Sequence, residues 1–399
     1  MHDDPKTRPR VTLLPGHDRR ARHGHPWIYS NEIAMDAAAK ALPPGTLVTV
    51  VAADGTQLAA ATFNPHTLIA ARVLTREAGS HIHAEFLRRR LRQALAIRER
   101  LYHAPFYRLV HAEADGFPGL IVDRYGDVLA VQVNTAGMAM LWPLVAEALD
   151  GLLSPRAVVL RGDSAARTQE GLPVGVELAA GTLDGTVEIA ENGGRFPVDV
   201  MGGQKTGWFF DQRDNRAWVA RLAAGARMLD LYRYGGGFAV AAAVAGAAAV
   251  LAVDRSEAAL ALATAAAARS GVAERCTFHK AEVFADLEAR TKAGERWDVV
   301  VADPPAFVKS RKDLASGSRG YRKLARLAAA VTAPGGYLFI ASCSHNVEPP
   351  VFLEQVARGL ADAGRSGRIL RSAGAAADHP VHPLLPESAY LKSLTLAVD

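Results

Sequence analysis

From about residue 191 onward, short, mainly apolar runs alternate with helical stretches, and this rhythm most narrows the folds open to the chain. The runs fall at 228–231, 250–253, 276–279, 298–301 and 337–341. A strand that is apolar throughout is covered on both faces, so a parallel sheet flanked by helices is expected. Its regular alternation with helices makes residues 191–399 a doubly wound, Rossmann-like α/β domain.

The first 190 residues lack that rhythm. Residues 1–77 read as short strands broken by turns; Thr46–Val51 and the run 58–63 flank Asp54-Gly55, a hairpin signal. Residues 78–190 carry their own strand-helix-strand pattern and are expected to form a separate α+β domain. Its first helix, 84–103, places Phe86, Leu87, Leu91, Leu95 and Ile97 near helical spacing with arginines between them. Strands at 119–122, 128–133 and 157–160 and a helix at 138–149 complete it. A multidomain α/β chain results.

The formal net charge is +5, and the arginines are clustered. Arg8, Arg10, Arg19, Arg20 and Arg22 crowd the start; Arg88, Arg89, Arg90, Arg92, Arg98 and Arg100 crowd the 84–103 helix. Such clusters suit a phosphate backbone or simply a solvated basic face. Two cysteines, Cys276 and Cys343, give neither a disulfide framework nor zinc spacing, which fits a reducing cytoplasm. The N-terminal stretch carries Asp3 and Asp4 and no apolar run, so no signal peptide is expected. The apolar stretch 238–253 is too short to cross a membrane. His379 and His382 have no ligand partner at helical spacing, so no metal is expected.

Four segments carry chemistry. Asp230-Leu-Tyr-Arg-Tyr-Gly235-Gly236-Gly237-Phe238 follows a predicted strand and opens a helix. Glycines there let the backbone turn sharply and approach a ligand. Val240 stands where the nicotinamide pattern G-x-G-x-x-G needs its last glycine, while Asp254 closes the next strand, where a carboxylate accepts from ribose hydroxyls. A nucleoside cofactor follows, with its kind left open. Asp303-Pro304-Pro305-Ala306-Phe307 lies at another strand end. The prolines fix the turn and hold Asp303 where it can meet the polar edge of a base, a pattern found in enzymes that methylate nucleobases. Ser342-Cys343-Ser344-His345 follows the 337–341 strand. A thiolate there can attack carbon 6 of a pyrimidine and so make carbon 5 nucleophilic; Cys276, at the start of an expected core strand, reads instead as a buried structural thiol. Gly202-Gly203-Gln204-Lys205-Thr206-Gly207-Trp208-Phe209-Phe210-Asp211-Gln212-Arg213 mixes glycine, polar and aromatic residues as a purely structural strand rarely does.

Taken in order, these segments resemble the bacterial RlmI-type enzymes that form 5-methylcytosine in 23S ribosomal RNA. The resemblance extends to Asp378-His-Pro-Val-His-Pro383, Leu385-Pro-Glu-Ser-Ala-Tyr-Leu-Lys392, His25-Pro26-Trp27-Ile28-Tyr29 and the segment from Ala114 to Asp123. It implies an N-terminal β-barrel PUA module for RNA, a middle α+β domain and a C-terminal S-adenosylmethionine fold. It implies Cys343 as nucleophile and Asp303 as the base-contacting carboxylate that also borders the cofactor. Asp254 would hold the ribose hydroxyls. Gln204, Phe209, Asp211 and Arg213 would close over the methionine part, and Asp230, Tyr234, Gly235 and Gly237 would form the cofactor loop. The chain departs from the family at Arg233, usually small or polar, and at Gly235, usually threonine; Glu282 stands for the usual adenine-contacting aspartate. The partner implied is RNA, 23S ribosomal RNA, with neither DNA nor membrane; a homodimer is compatible. Two other readings stay open: a methyltransferase acting on an exocyclic amine, with Cys343 idle, and a non-catalytic RNA-binding paralogue.

Overall fold

The apolar strands of the C-terminal part assemble into one seven-stranded sheet. In spatial order the strands are Cys276–Lys280, Ala249–Asp254, Arg227–Leu231, Trp297–Ala302, Thr332–Ser342, Lys392–Val398 and Gly367–Ala373. The first five run parallel; Lys392–Val398 runs antiparallel to both of its neighbours. This computed structural model describes residues 3–399, so the first two residues of the N-terminal stretch lie outside it.

The chain divides into two compact units. One runs to Val187 and takes in Asp199–Trp208 and Asp378–Ser388; the other comprises Glu188–Val198, Phe209–Ala377 and Ala389–Asp399.

The first unit contains two sheets. Arg10–Thr12, Thr46–Val51, Gln57–Phe63, Ala71–Thr75 and Trp27–Ile28 form one in that order; Val176–Gly181, Ala157–Arg161, Val128–Val133, Leu120–Tyr125 and Phe106–His111 form the other. Gly55, at φ 86°, makes the expected hairpin turn. The two sheets share one compact unit because their edges interlock. A Cβ on Gly137, in the helix Ala136–Leu153, would lie 2.2 Å from Thr62. Glu170 accepts from Asn64 at 3.0 Å and Arg72 at 3.2 Å, and Glu113 accepts from Trp27 at 2.7 Å and Arg72 at 3.0 Å. The helix Ala136–Leu153 is long and apolar enough to cross a membrane by composition, but its buried face, including Leu141, Val145 and Leu149, belongs to the core of this unit.

The helix Ala84–Leu101 corrects the sequence reading in one place. Its buried stripe is Phe86, Leu87, Leu91, Ala94 and Arg98, while Ile97 is half-exposed. The stripe advances by three and four residues and reaches 98, so an arginine occupies the core-facing position. The arginine clusters are correspondingly less free than composition suggests. Arg8 pairs with Asp3, Arg20 with Glu32, Arg22 with Asp18 and Asp54, and Arg88 and Arg92 with Glu85. Arg10, Arg19, Arg89 and Arg100 are exposed and outside any ion pair among the described residues.

In the second unit Leu229, Val300 and Leu338 share one face of the sheet and are enclosed with Leu324 and Phe352, while Met228, Val301 and Phe339, of the opposite parity, are buried on the other. A second correction concerns Cys276–Lys280. It is an edge strand of alternating exposure, and Cys276 is half-buried rather than part of a sealed core. An edge strand has a neighbour on one side only, so an apolar run does not suffice to bury it. Burial still pushes the Cys276 thiol up to about 11.

Candidate active site

Ligands of doubly wound sheets bind outside the carboxyl ends of the strands, where the strand order reverses. Here the reversal falls at Arg227–Leu231, between Ala249–Asp254 and Trp297–Ala302. Asp230 is fully buried there; its Oδ2 accepts from the Ala239 backbone N at 3.0 Å, and its Oδ1 has no hydrogen-bond partner. Burial raises its carboxyl to about 7, against the opposing pull of Arg233.

The loop after Asp230 bends at Tyr232, Tyr234 and Gly236, with φ of 61°, 45° and 80°. Two of these left-handed positions are tyrosines, so the loop is tighter than its three glycines suggest. It is held from outside: Tyr232 N donates to Val253 O at 3.1 Å, and Tyr234 N to Asp254 Oδ2 at 3.2 Å. The other oxygen of Asp254 accepts from Ser256 N at 2.8 Å. Gly235 lies between Tyr234 and Gly236. Gly237 opens the helix Gly237–Val244, and a Cβ there would lie 2.5 Å from Arg216 Nε.

Besides Asp230, two groups of this loop have polar atoms left over. Arg233 is buried, donates from Nη1 to Tyr234 O at 3.0 Å and lies 5.1 Å from the Phe278 ring centre. Its Nε and Nη2 have no partner, nor does the Tyr232 hydroxyl. Burial lowers Arg233, and Asp230 and Asp254 oppose that; burial raises Tyr232, with Glu282 and Asp254 adding to it. Glu282 caps the helix Val283–Lys292 by accepting from Ala285 N at 2.9 Å. Buried polar atoms without partners are costly, and several together mark a place built for a polar ligand.

The segment 202–213 divides between the units. Gln204 lies in the first, beside Thr206, whose hydroxyl donates to Asp123. Phe209, Asp211 and Arg213 lie in the second. Phe209 meets the Tyr234 ring edge-on at 5.2 Å, Asp211 accepts from the Tyr390 hydroxyl, and Arg213 donates to Glu191 at 3.2 Å. The Asp378–Ser388 segment counts with the first unit. Its Asp378 accepts from Arg108 N at 2.9 Å, and His379 lies 5.0 Å from the His111 ring.

Asp303 and Cys343 end two adjacent parallel strands, whose register sets Ala302 beside Ile340. Tyr321, on the helix Leu314–Val331, joins the two turns. Its hydroxyl accepts from Ser342 Oγ at 2.8 Å, lies 2.7 Å from Ser344 Oγ and accepts from Phe307 N at 3.4 Å. Ser344 Oγ also accepts from Val308 N at 3.2 Å. Cys343 is half-buried between two buried serines. Sequence reasoning gave no role to Tyr321: it sits inside a helix with no local motif, and only the fold brings it under the strand ends.

A family model described as S-adenosylmethionine-dependent methyltransferase matches residues 168–375, and a PUA-like domain model matches residues 11–76. A ribosomal RNA large subunit methyltransferase I from Klebsiella pneumoniae (strain 342) is 36% identical, covering 98% of this chain and 98% of its own. Its counterpart from Shewanella denitrificans is 37% identical, covering 98% and 99%. The chain belongs to the ribosomal RNA large subunit methyltransferase I family. Among solved structures, a protein described as a methyltransferase complexed with SAH shares the fold, with a TM-score of 0.83, 20% identity and coverage of 97% of this chain and 99% of that one.

The cofactor of the family is S-adenosylmethionine, and the residues at the strand-order reversal suit it. Asp254, at a strand end, carries acceptors toward the loop; the Asp230 Oδ1 and the Tyr232 hydroxyl are buried and unsatisfied, as groups awaiting a polar nucleoside are. Arg233 places a buried guanidinium within that loop.

Proposed function

We propose that this chain methylates carbon 5 of a cytosine in 23S ribosomal RNA, with Cys343 as the nucleophile. The observation that carries the reading is the shared anchoring of the Asp303 and Cys343 turns on Tyr321, at two adjacent strand ends. The names of the curated relatives support large-subunit ribosomal RNA as substrate. The PUA-like match supports RNA binding by the N-terminal part.

Carbon 5 of cytosine is a poor nucleophile until a covalent bond forms at carbon 6. The Cys343 thiolate adds to carbon 6, and electron density moves to carbon 5. Asp303 accepts from the polar edge of the base and holds it through that step. Bound S-adenosylmethionine supplies an electrophilic methyl group on its sulfonium. With it bound, carbon 5 would take the methyl group as the methyl–sulfur bond breaks and leaves its electron pair on sulfur; loss of the carbon 5 proton to a base would then restore the ring double bond and release the Cys343 thiolate. In this reading Asp254 holds the ribose hydroxyls and Glu282 the adenine amine. Asp230, Tyr234, Gly235 and Gly237 shape the loop around the methionine part, with Phe209, Asp211 and Arg213 closing over it and Asp303 at its border.

RNA carrying 5-fluorocytosine at the target tests this directly, because fluorine does not leave as a proton does. A covalent protein–RNA adduct should form with the native enzyme, require S-adenosylmethionine, persist in Cys276→Ala and vanish in Cys343→Ala. Full methyl transfer by Cys343→Ala removes the cysteine mechanism and leaves the exocyclic-amine reading.

A further inference from the structure

The antiparallel strand Lys392–Val398 does something the parallel strands do not: it begins at the carboxyl edge. Its register pairs Lys392 with Ser342, the residue before Cys343. Lys392 is buried, and its Nζ donates to Ser344 O and Val347 O, both at 2.6 Å. Two backbone carbonyls offer dipoles but no counter-charge. No carboxylate forms an ion pair with Lys392 among the described residues. An ammonium taken out of water without a counter-ion costs several kcal/mol, so a fold that keeps one has a use for its charge.

We propose that Lys392 is the positioning residue for Cys343: it clamps the Ser342-Cys343-Ser344 turn through its carbonyls and supplies the positive charge that favours the thiolate. Burial pulls the Lys392 ammonium below its ordinary value, and Cys343 and then Glu348 oppose that. The same charge relation runs the other way, since a cation close to a thiol lowers its pKa and raises its reactivity. The other titratable groups on the surrounding elements are Tyr321, His345, Tyr390, Glu348 and, on the neighbouring strand end, Asp303. Tyr321 is raised by burial and stays a neutral hydroxyl, and the His345 ring stacks on Tyr390 at 5.2 Å. Lys392 is therefore the cation anchored on the Cys343 turn itself.

This inference rests on Cys343 being the nucleophile of the proposed reaction, and the test separates the two. The full chain is alkylated with iodoacetamide across a pH series and read peptide by peptide by mass spectrometry, with Cys276 as the internal reference. In the native protein the Cys343 midpoint should fall below the free-thiol value of about 8.5. Lys392→Met should raise it by about one unit, a tenfold loss of alkylation rate at neutral pH, with Cys276 unchanged. Lys392→Arg should restore most of the native profile, which a purely structural clamp does not require. A native profile in folded Lys392→Met, judged by unchanged cofactor affinity, overturns the inference. Should that variant fail to fold, a native Cys343 midpoint at or above the free-thiol value overturns it equally. Methyl transfer surviving in Cys343→Ala removes the proposed reaction instead, whatever the alkylation profile.

Discussion

Arg98 and Asp115 form a bidentate ion pair inside the first unit, 2.7 Å on both arms, with the guanidinium fully enclosed. Arg98 Nε donates to Arg108 O at 2.9 Å, and Asp115 accepts from His111 N at 2.7 Å, so the pair also ties a helix to the neighbouring strand. Breaking one partner strands the other charge in a dry environment, at a cost of about 3–5 kcal/mol. Asp115→Ala should therefore destabilise the protein by that order, whereas the double change Arg98→Leu with Asp115→Ala should recover a large part of it. Denaturant midpoints for the single and double variants check this; equal loss in both would show that the hydrogen bonds, not the stranded charge, carry the effect.

Asp254 joins the Tyr234 turn to the Ser256 cap and, in the proposed complex, holds the ribose. Asp254→Ala removes those acceptors, each hydrogen bond to a charged group contributing about 1.5–3 kcal/mol. Calorimetry should find S-adenosylmethionine affinity lowered by at least tenfold. Native affinity in the variant would end the assignment of Asp254 to the cofactor.

The Asp230 carboxyl, raised to about 7 by burial, makes two pH effects expected. Its folded value lies above the unfolded one, so the folded state holds a proton that the unfolded state gives up. Its contribution to stability therefore falls as pH climbs from about 4 to about 7 and is level above that. Asp230→Asn should remove this slope, so that melting-temperature differences from the native protein shift between pH 4 and pH 7. The ionised form is the better acceptor for the ammonium of S-adenosylmethionine, so native affinity should rise with pH up to about 7 and then flatten. A native affinity independent of pH over that range would place the ammonium elsewhere.

RNA affinity should fall steeply with salt, because phosphate contacts release counterions. Arg10, Arg19, Arg89 and Arg100 are the exposed members of the two arginine clusters outside any ion pair among the described residues. Changing them to glutamine together should flatten the salt slope, whereas Arg8, held by Asp3 and buried, should affect folding instead. A native slope near zero would make the clusters solvated surface only.

Much of this was legible in the chain itself. Five short, mainly apolar runs separated by helices point to a parallel sheet, because strands of that kind need cover on both faces. The acidic and glycine-rich strand ends at Asp230, Asp254, Asp303 and Cys343 then follow at its carboxyl edge. These are local signals: strand period, turn residues and short motifs, each set by the residues beside it. What depended on contacts far apart in sequence was not legible. Arg98 takes the core-facing position that Ile97 was expected to hold, because Asp115 and Arg108 O are there to receive it. Cys276 lies on an edge strand, because nothing pairs beyond it. Tyr321 carries no motif, and the segment that ends at Lys392 carries the family resemblance without revealing what its ammonium meets. A helix and an antiparallel final strand bring them to Ser342, Cys343 and Ser344, and only the packed sheet determines which carbonyls a buried ammonium meets.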